Sequence, residues 1–144
     1  MTATLDGAYT YAPSCEVLVA ARRLAQRYND RFGLGPLPAD FGLDDRFWSG
    51  LEHDGKIVAV YAERFTHDGV AIVEVTDAYC EPTKSGFRAL RMIVASYQSL
   101  LDRGLVRAVR YNVRIENQRF ARMVYQASGV LPVGLIFEHR RREA

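Results

Sequence analysis

The chain has 144 residues, 49% of them hydrophobic and 25% charged, with a formal net charge of +2; this is the profile of one globular domain, not of a fibrous or disordered chain. No apolar run approaches the ~18 residues that cross a bilayer. Met1 to Gly7 has neither the basic start nor the apolar stretch of a signal peptide, and Cys15 and Cys80 are too few for a disulfide framework and lack metal-ligand spacing, so a reducing cytosol is the expected compartment.

In chain order, Pro13-Ser14 opens a segment of helical period, with Val17, Ala21, Leu24 and Tyr28 on one stripe and Leu18, Ala25 and Phe32 beside it. Ser14 is the expected N-cap, and Gly33, Gly35, Pro36 and Pro38 stop the helix. From Phe47 the period changes to two. Asp54-Gly55 and His67-Asp68-Gly69 are tight-turn signals, and together they predict a three-strand antiparallel meander over Phe47–His53, Lys56–Phe65 and Val70–Cys80. A second helix is predicted over Ser85 to Asp102, with Phe87, Leu90, Val94, Tyr97 and Leu101 inward and Gly104 just past its end. Val106 to Ile115 alternates as a strand. Asn117 caps a third helix, with Phe120, Met123, Val124 and Ala127 inward and Gly129 ending it, and Val130 to Arg140 makes one last strand. The passage from Val70 to Ile115 is expected to form a right-handed parallel crossover in a mixed sheet.

This order, the Cys80-Glu81-Pro82 step and the Ala121, Tyr125, Gly129 spacing resemble the GNAT superfamily of acyl-CoA N-acyltransferases. The resemblance implies one α/β domain over residues 1–144, with a central mixed β-sheet flanked by helices. Its final strand pair is truncated, since only fifteen residues follow Gly129. It also implies an acetyl-CoA-dependent transfer to an amine. The acyl-CoA loop falls on Lys84, Ser85, Gly86, Phe87, Arg88 and Ala89, where the family builds a nest of N–H groups for the pyrophosphate. Lys84 stands for the usual Arg or Gln and Ala89 fits, but Phe87 replaces a glycine. Asn117 lies near the Asn that usually precedes the last run, one residue too far from Ala121.

Amine acylation needs a base, an acid and a donor that polarises the thioester carbonyl. By resemblance Tyr125 stands at the acid position; as a plain helix residue it packs on the sheet. Glu74, a carboxylate in an apolar central strand, is the candidate base, and otherwise pairs with an Arg. Asp77 and Glu81 are alternates. The N–H groups of Tyr79, Cys80 and Glu81 are the candidate carbonyl donors if the strands splay there. Cys80 has no His spaced to activate it and reads as a small buried residue. There is no zinc spacing, Walker motif or GxGxxG, so no metal is expected, and no nucleic-acid module pattern.

Charge is unevenly spread. Residues 1–83 carry 7 basic and 13 acidic side chains, residues 84–144 carry 12 and 4, and seventeen of the nineteen basic residues are Arg. The basic half suits a phosphate-bearing ligand, a solvated surface, or head-to-tail contact between copies. Two functions therefore stay open. One is an N-acyltransferase. The other is a GNAT-like structural or assembly protein that has lost CoA binding, resembling degenerate bacteriophage-encoded relatives and virion-associated if phage-encoded. Such a protein self-associates or docks into a larger complex through an open sheet edge.

Overall fold

The computed structural model describes residues 8–43, 46–67, 71–114 and 117–126, with backbone alone at 66 and 67. Its elements are β1 (Tyr9–Tyr11), α1 (Ser14–Phe32), β2 (Phe47–His53), β3 (Lys56–His67), β4 (Ala71–Cys80), α2 (Lys84–Asp102), β5 (Ala108–Tyr111) and α3 (Gln118–Tyr125). The five strands lie in chain order in one sheet; β1 to β4 are antiparallel neighbours, and β4 pairs with β5 in parallel. The Asp54-Gly55 turn works because both residues hold positive φ, 52° and 76°.

Several elements differ from the sequence reading. β1 is an added edge strand that its three residues gave no periodicity to announce. Pro13, not Ser14, caps α1, and no side-chain oxygen bonds to its first turn. Thr83 caps α2 one residue earlier than expected, its hydroxyl accepting from the Gly86 N–H at 3.2 Å. Asn117 caps α3 as expected, accepting from the Phe120 N–H at 3.2 Å. The end of that helix at Gly129, Ala127 and the final strand lie outside the described residues.

The sheet carries a layer on each face. Leu90, Ile93, Val94 and Tyr97 of α2, with Phe120, Met123 and Val124 of α3, pack on Ala59, Tyr61, Val73 and Val75. Val17, Ala20, Ala21 and Leu24 of α1 pack on Ile57 and Val60 across the sheet. Each buried Val, Leu, Ile, Met or Phe side chain here stabilises the fold by about 1.5–3 kcal/mol.

One irregularity positions the site. Ala62 lies opposite Asp77 and Glu63 opposite Val75, so Thr76 is an extra residue, a β-bulge in β4. Before it, Val73 and Val75 face α2. After it the parity is inverted: Ala78 and Cys80 face α2, while Tyr79 joins the α1 face. The pairing with β5 stops at the same point, at Val75 and Tyr111, with a last hydrogen bond from the Asn112 N–H to the Val75 carbonyl at 3.0 Å. That is why β5 is shorter than the alternation from Val106 to Ile115 predicts: past Tyr111 it has lost its neighbour.

Candidate active site

Beyond the bulge, β4 keeps β3 on one side and, among the described residues, has no strand on the other. The Glu81 N–H donates to the Val58 carbonyl at 2.8 Å, so Glu81 faces β3. Alternation along the antiparallel ladder turns Tyr79 the same way and directs the N–H groups of Ala78 and Cys80 toward the open side. Of the three donors expected from sequence, only Cys80 directs its N–H into the gap, and Ala78, which the sequence reading passed over, does the same.

The gap opens into a cleft of about 650 Å³ that cuts between the layers. Ala78, Cys80, Phe87, Leu90 and Phe120 line its α2–α3 wall, and Leu24, Tyr28, Phe32 and Tyr79 its α1 wall. Five arginines stand around it: Arg27 and Arg31 from α1, Arg91 from α2, Arg119 and Arg122 from α3. No carboxylate among the described residues lines it. These arginines are scattered through the sequence and share no motif; only the placement of the three helices gathers them. Arg119 lies over the Phe87 ring at 3.8 Å, a cation–π contact that makes Phe87 part of the wall.

The acyl-CoA loop expected from sequence does not converge on one ligand. Phe87 faces the cleft. Lys84, Ser85 and Arg88 line a separate hollow of about 370 Å³ with Tyr9, His53 and Thr83. Ala89 is fully buried in the core. Gly86 is buried against the end of β4, where a Cβ would sit 2.9 Å from the Glu81 carbonyl carbon and nearer still to its oxygen. So Gly86 serves a close backbone crossing. Two amides at the start of α2 are committed too: the Gly86 N–H to the Thr83 hydroxyl and the Phe87 N–H to the Thr83 carbonyl at 3.0 Å. Asn117 lines the cleft while capping α3.

The acid–base candidates lie apart. Glu74 accepts from Arg64 at 3.2 Å and from the Asn112 side chain at 3.1 Å, and does not line the cleft. Tyr125 is 63% exposed and also outside the lining. Asp77 is ion-paired with Arg46 and stands behind the α1 wall, its other oxygen 3.4 Å from the Tyr79 hydroxyl. Burial, with Asp77 beside it, raises the Tyr79 phenol well above its ordinary value. Burial pushes the Cys80 thiol up to about 12 against the opposing pull of Arg119 and Arg31, so it stays protonated at neutral pH and is no nucleophile.

Glu81 is a hub. Its carboxylate is almost wholly buried and pairs with Arg23 and Arg27 of α1 and with Lys56 of β3, the last at 3.2 Å. Burial alone would raise its pKa; the hydrogen bonds and charges of Arg23 and Lys56 outweigh that, and the net displacement is downward. It ties α1, the β2–β3 hairpin and the end of β4 together. Sequence reasoning missed Glu63, which is buried and accepts from the Tyr97 hydroxyl. The period-two run Tyr61, Glu63, Phe65 was its available signal.

No protein-family model and no curated protein matches the chain. Solved structures do. The chain superposes on a possible acetyltransferase from Clostridium difficile 630 with a TM-score of 0.66 at 13% identity, covering 94% of this chain and 97% of that one. For a ribosomal-protein-alanine N-acetyltransferase from Brucella melitensis biovar Abortus 2308 the TM-score is 0.69 at 12% identity, over 92% and 98%. For an aminoglycoside N-acetyltransferase in complex with CoA it is 0.55 at 16% identity, over 93% of each. At these identities the likeness speaks to architecture alone: the chain, a five-stranded mixed sheet flanked by helices, has the fold of the GNAT acetyltransferases.

Proposed function

We propose that this protein is an acyl-CoA-dependent N-acyltransferase whose donor lies in the β4–β5 gap. The observation that carries this reading is the coincidence of two features in one cleft: strand-edge N–H groups at Ala78 and Cys80, and five arginines with no carboxylate among the described lining residues. The volume is that of a small-molecule site. The bound donor supplies an activated acyl thioester. The Cys80 N–H polarises its carbonyl, a preorganised backbone donor that costs no rearrangement. Arg91, Arg119 and Arg122 hold its phosphates through side chains, in place of the nest expected at Lys84–Ala89; guanidinium forks suit that task. Asp77, reached through Tyr79, is better placed than Glu74 to receive the acceptor's proton.

Calorimetric titration with acetyl-CoA tests the reading. Binding in the micromolar to millimolar range, about that of ordinary enzyme substrates, is expected. It should weaken with salt and on Arg119→Gln or Arg122→Gln. Absence of heat and of any thermal shift at millimolar acetyl-CoA rules the reading out.

A second reading, a non-catalytic assembly protein, draws on the committed amides of α2 and on β5, which among the described residues has a strand on one side only. Under it the protein self-associates in a salt-dependent way, which sedimentation at low and high salt detects.

A further inference from the structure

The cleft has two walls of different character, and the acceptor has only one of them to itself. The α2–α3 wall supplies more of the lining, and its three arginines match the several phosphates of an acyl-CoA. The α1 wall is left for the acceptor. It presents Arg31, stacked against the Phe32 ring at 5.2 Å, and Arg27, together with the mutually packed rings of Tyr28 and Tyr79. Arg27 shares the Glu81 carboxylate with Arg23 and Lys56, so three cations meet one anion and the cluster keeps positive charge. Asp77, which contacts the Tyr79 hydroxyl of this wall, is matched by Arg46.

A cationic acceptor, such as a polyamine, would enter this field with no carboxylate among the described lining residues to receive it. Like charges brought together in a part-dry cleft are costly and lower the encounter rate. An amine that also carries a carboxylate or phosphate meets the opposite situation, because an arginine fork binds either group through two oxygens.

We infer, on the acyltransferase reading above, that the acceptor is a small amine bearing an anionic group, held by Arg31 and Arg27 on the α1 wall with its nitrogen toward Ala78–Cys80. In the transfer one N–C bond forms as the thioester C–S bond breaks, and the proton lost by the amine balances the one gained by the leaving thiolate. The anionic group takes no part in the chemistry; it orients the nitrogen.

The test uses the full chain with acetyl-CoA and three acceptors at equal concentration: L-glutamate for carboxylate, O-phosphoethanolamine for phosphate, spermidine for cation. Expected is transfer to one of the two anions in preference to spermidine. Arg31→Gln should raise the KM for that anion on the order of tenfold while the acetyl-CoA Kd stays put, and Arg31→Lys should recover part of the loss. The two anion arms separate carboxylate from phosphate recognition. Faster transfer to spermidine overturns the inference and leaves the acyltransferase standing. So does acetyl-CoA-loaded protein that binds neither anion at ~10 mM, or an Arg31→Gln variant with unchanged KM. Failure to bind acetyl-CoA at all overturns the acyltransferase reading and takes the inference with it.

Discussion

Gly86→Ala sets two effects of opposite sign against each other. Gly86 is the third residue of α2, and alanine in a helix is favoured over glycine by up to about 1 kcal/mol. If helix propensity decided, the variant would gain stability. The added Cβ, however, would sit 2.9 Å from the Glu81 carbonyl carbon and 3.0 Å from the Glu81 nitrogen, where ordinary carbon contacts need about 3.5 Å. All the opposing atoms are backbone, so no rotamer change relieves the clash. The start of α2 and the end of β4 must separate by roughly an ångström, against the Glu81 ion pairs and the Thr83 cap. Overpacking of this kind costs about 1–3 kcal/mol, and the rigid partner puts it at the upper end. The net is a loss of about 2 kcal/mol, or roughly 6–10 °C in Tm for a domain of this size. Thermal unfolding followed by circular dichroism measures it. Gly50→Ala is the control: its Cβ meets only ordinary contacts at 3.4–3.5 Å, so its Tm should move little. A Gly86→Ala protein as stable as the parent or more so would refute the account of Gly86 as a backbone crossing.

Glu81→Gln should cost about 1–3 kcal/mol near pH 7, because the hydrogen bonds it weakens are charge-assisted, while the half-exposed arginines released recover hydration. The sign with pH follows from the lowered pKa: Glu81 stabilises the parent fully above the ordinary glutamate value of about 4.3 and loses that contribution as pH falls through its folded value, so the two proteins should converge in acid denaturation below pH ~4. Ellman titration of the native protein near pH 7 should find one fast thiol, the exposed Cys15, and one slow one, since at a pKa of about 12 only about 10⁻⁵ of Cys80 is thiolate; two equally fast thiols would contradict the burial. Tyr97→Phe removes the hydroxyl that donates to buried Glu63 and should cost about 1–3 kcal/mol in urea unfolding. Tyr125→Phe should change turnover less than about threefold if exposure is the better guide than spacing; a loss on the order of 10²-fold would restore it as the acid.

The elements that could be read from sequence were those specified locally. Asp54-Gly55 fixes a turn by backbone conformation, Asn117 caps α3 with its own side chain, and the α2 stripe records its buried face at Leu90, Val94 and Tyr97, with Leu100 in place of Leu101 at its end. What could not be read depends on residues far apart in the chain. Thr76 looks like any strand residue; it becomes a bulge only because β3 offers one partner too few. Setting the register of the acyl-CoA loop by analogy put Gly86 within a phosphate-binding loop, whereas the tertiary path of β4 puts it against Glu81. The cleft arginines pair locally, Arg27 with Arg31 four apart and Arg119 with Arg122 three apart, but no spacing links one pair to the other or to Arg91. Glu81 was read for its backbone and as a spare base, and its role as an ion-pair hub needs α1 folded over the strand end.

The two layers on the sheet are unequal, and this bears on how the molecule opens. Among the described residues, sixteen buried side chains form the cluster under α2 and α3, and only six form the one under α1, where alanines Ala20 and Ala21 fill much of the interface. A thin layer of small residues offers little to resist separation, so α1 is the natural unit of sub-global unfolding. Native-state hydrogen exchange should then show the α1 amides exchanging through an opening of lower free energy than those of α2. Because Arg27 and Arg31 ride on α1, the wall assigned to the acceptor can loosen while the wall assigned to the donor stays folded. The two halves of the cleft thereby belong to different cooperative units.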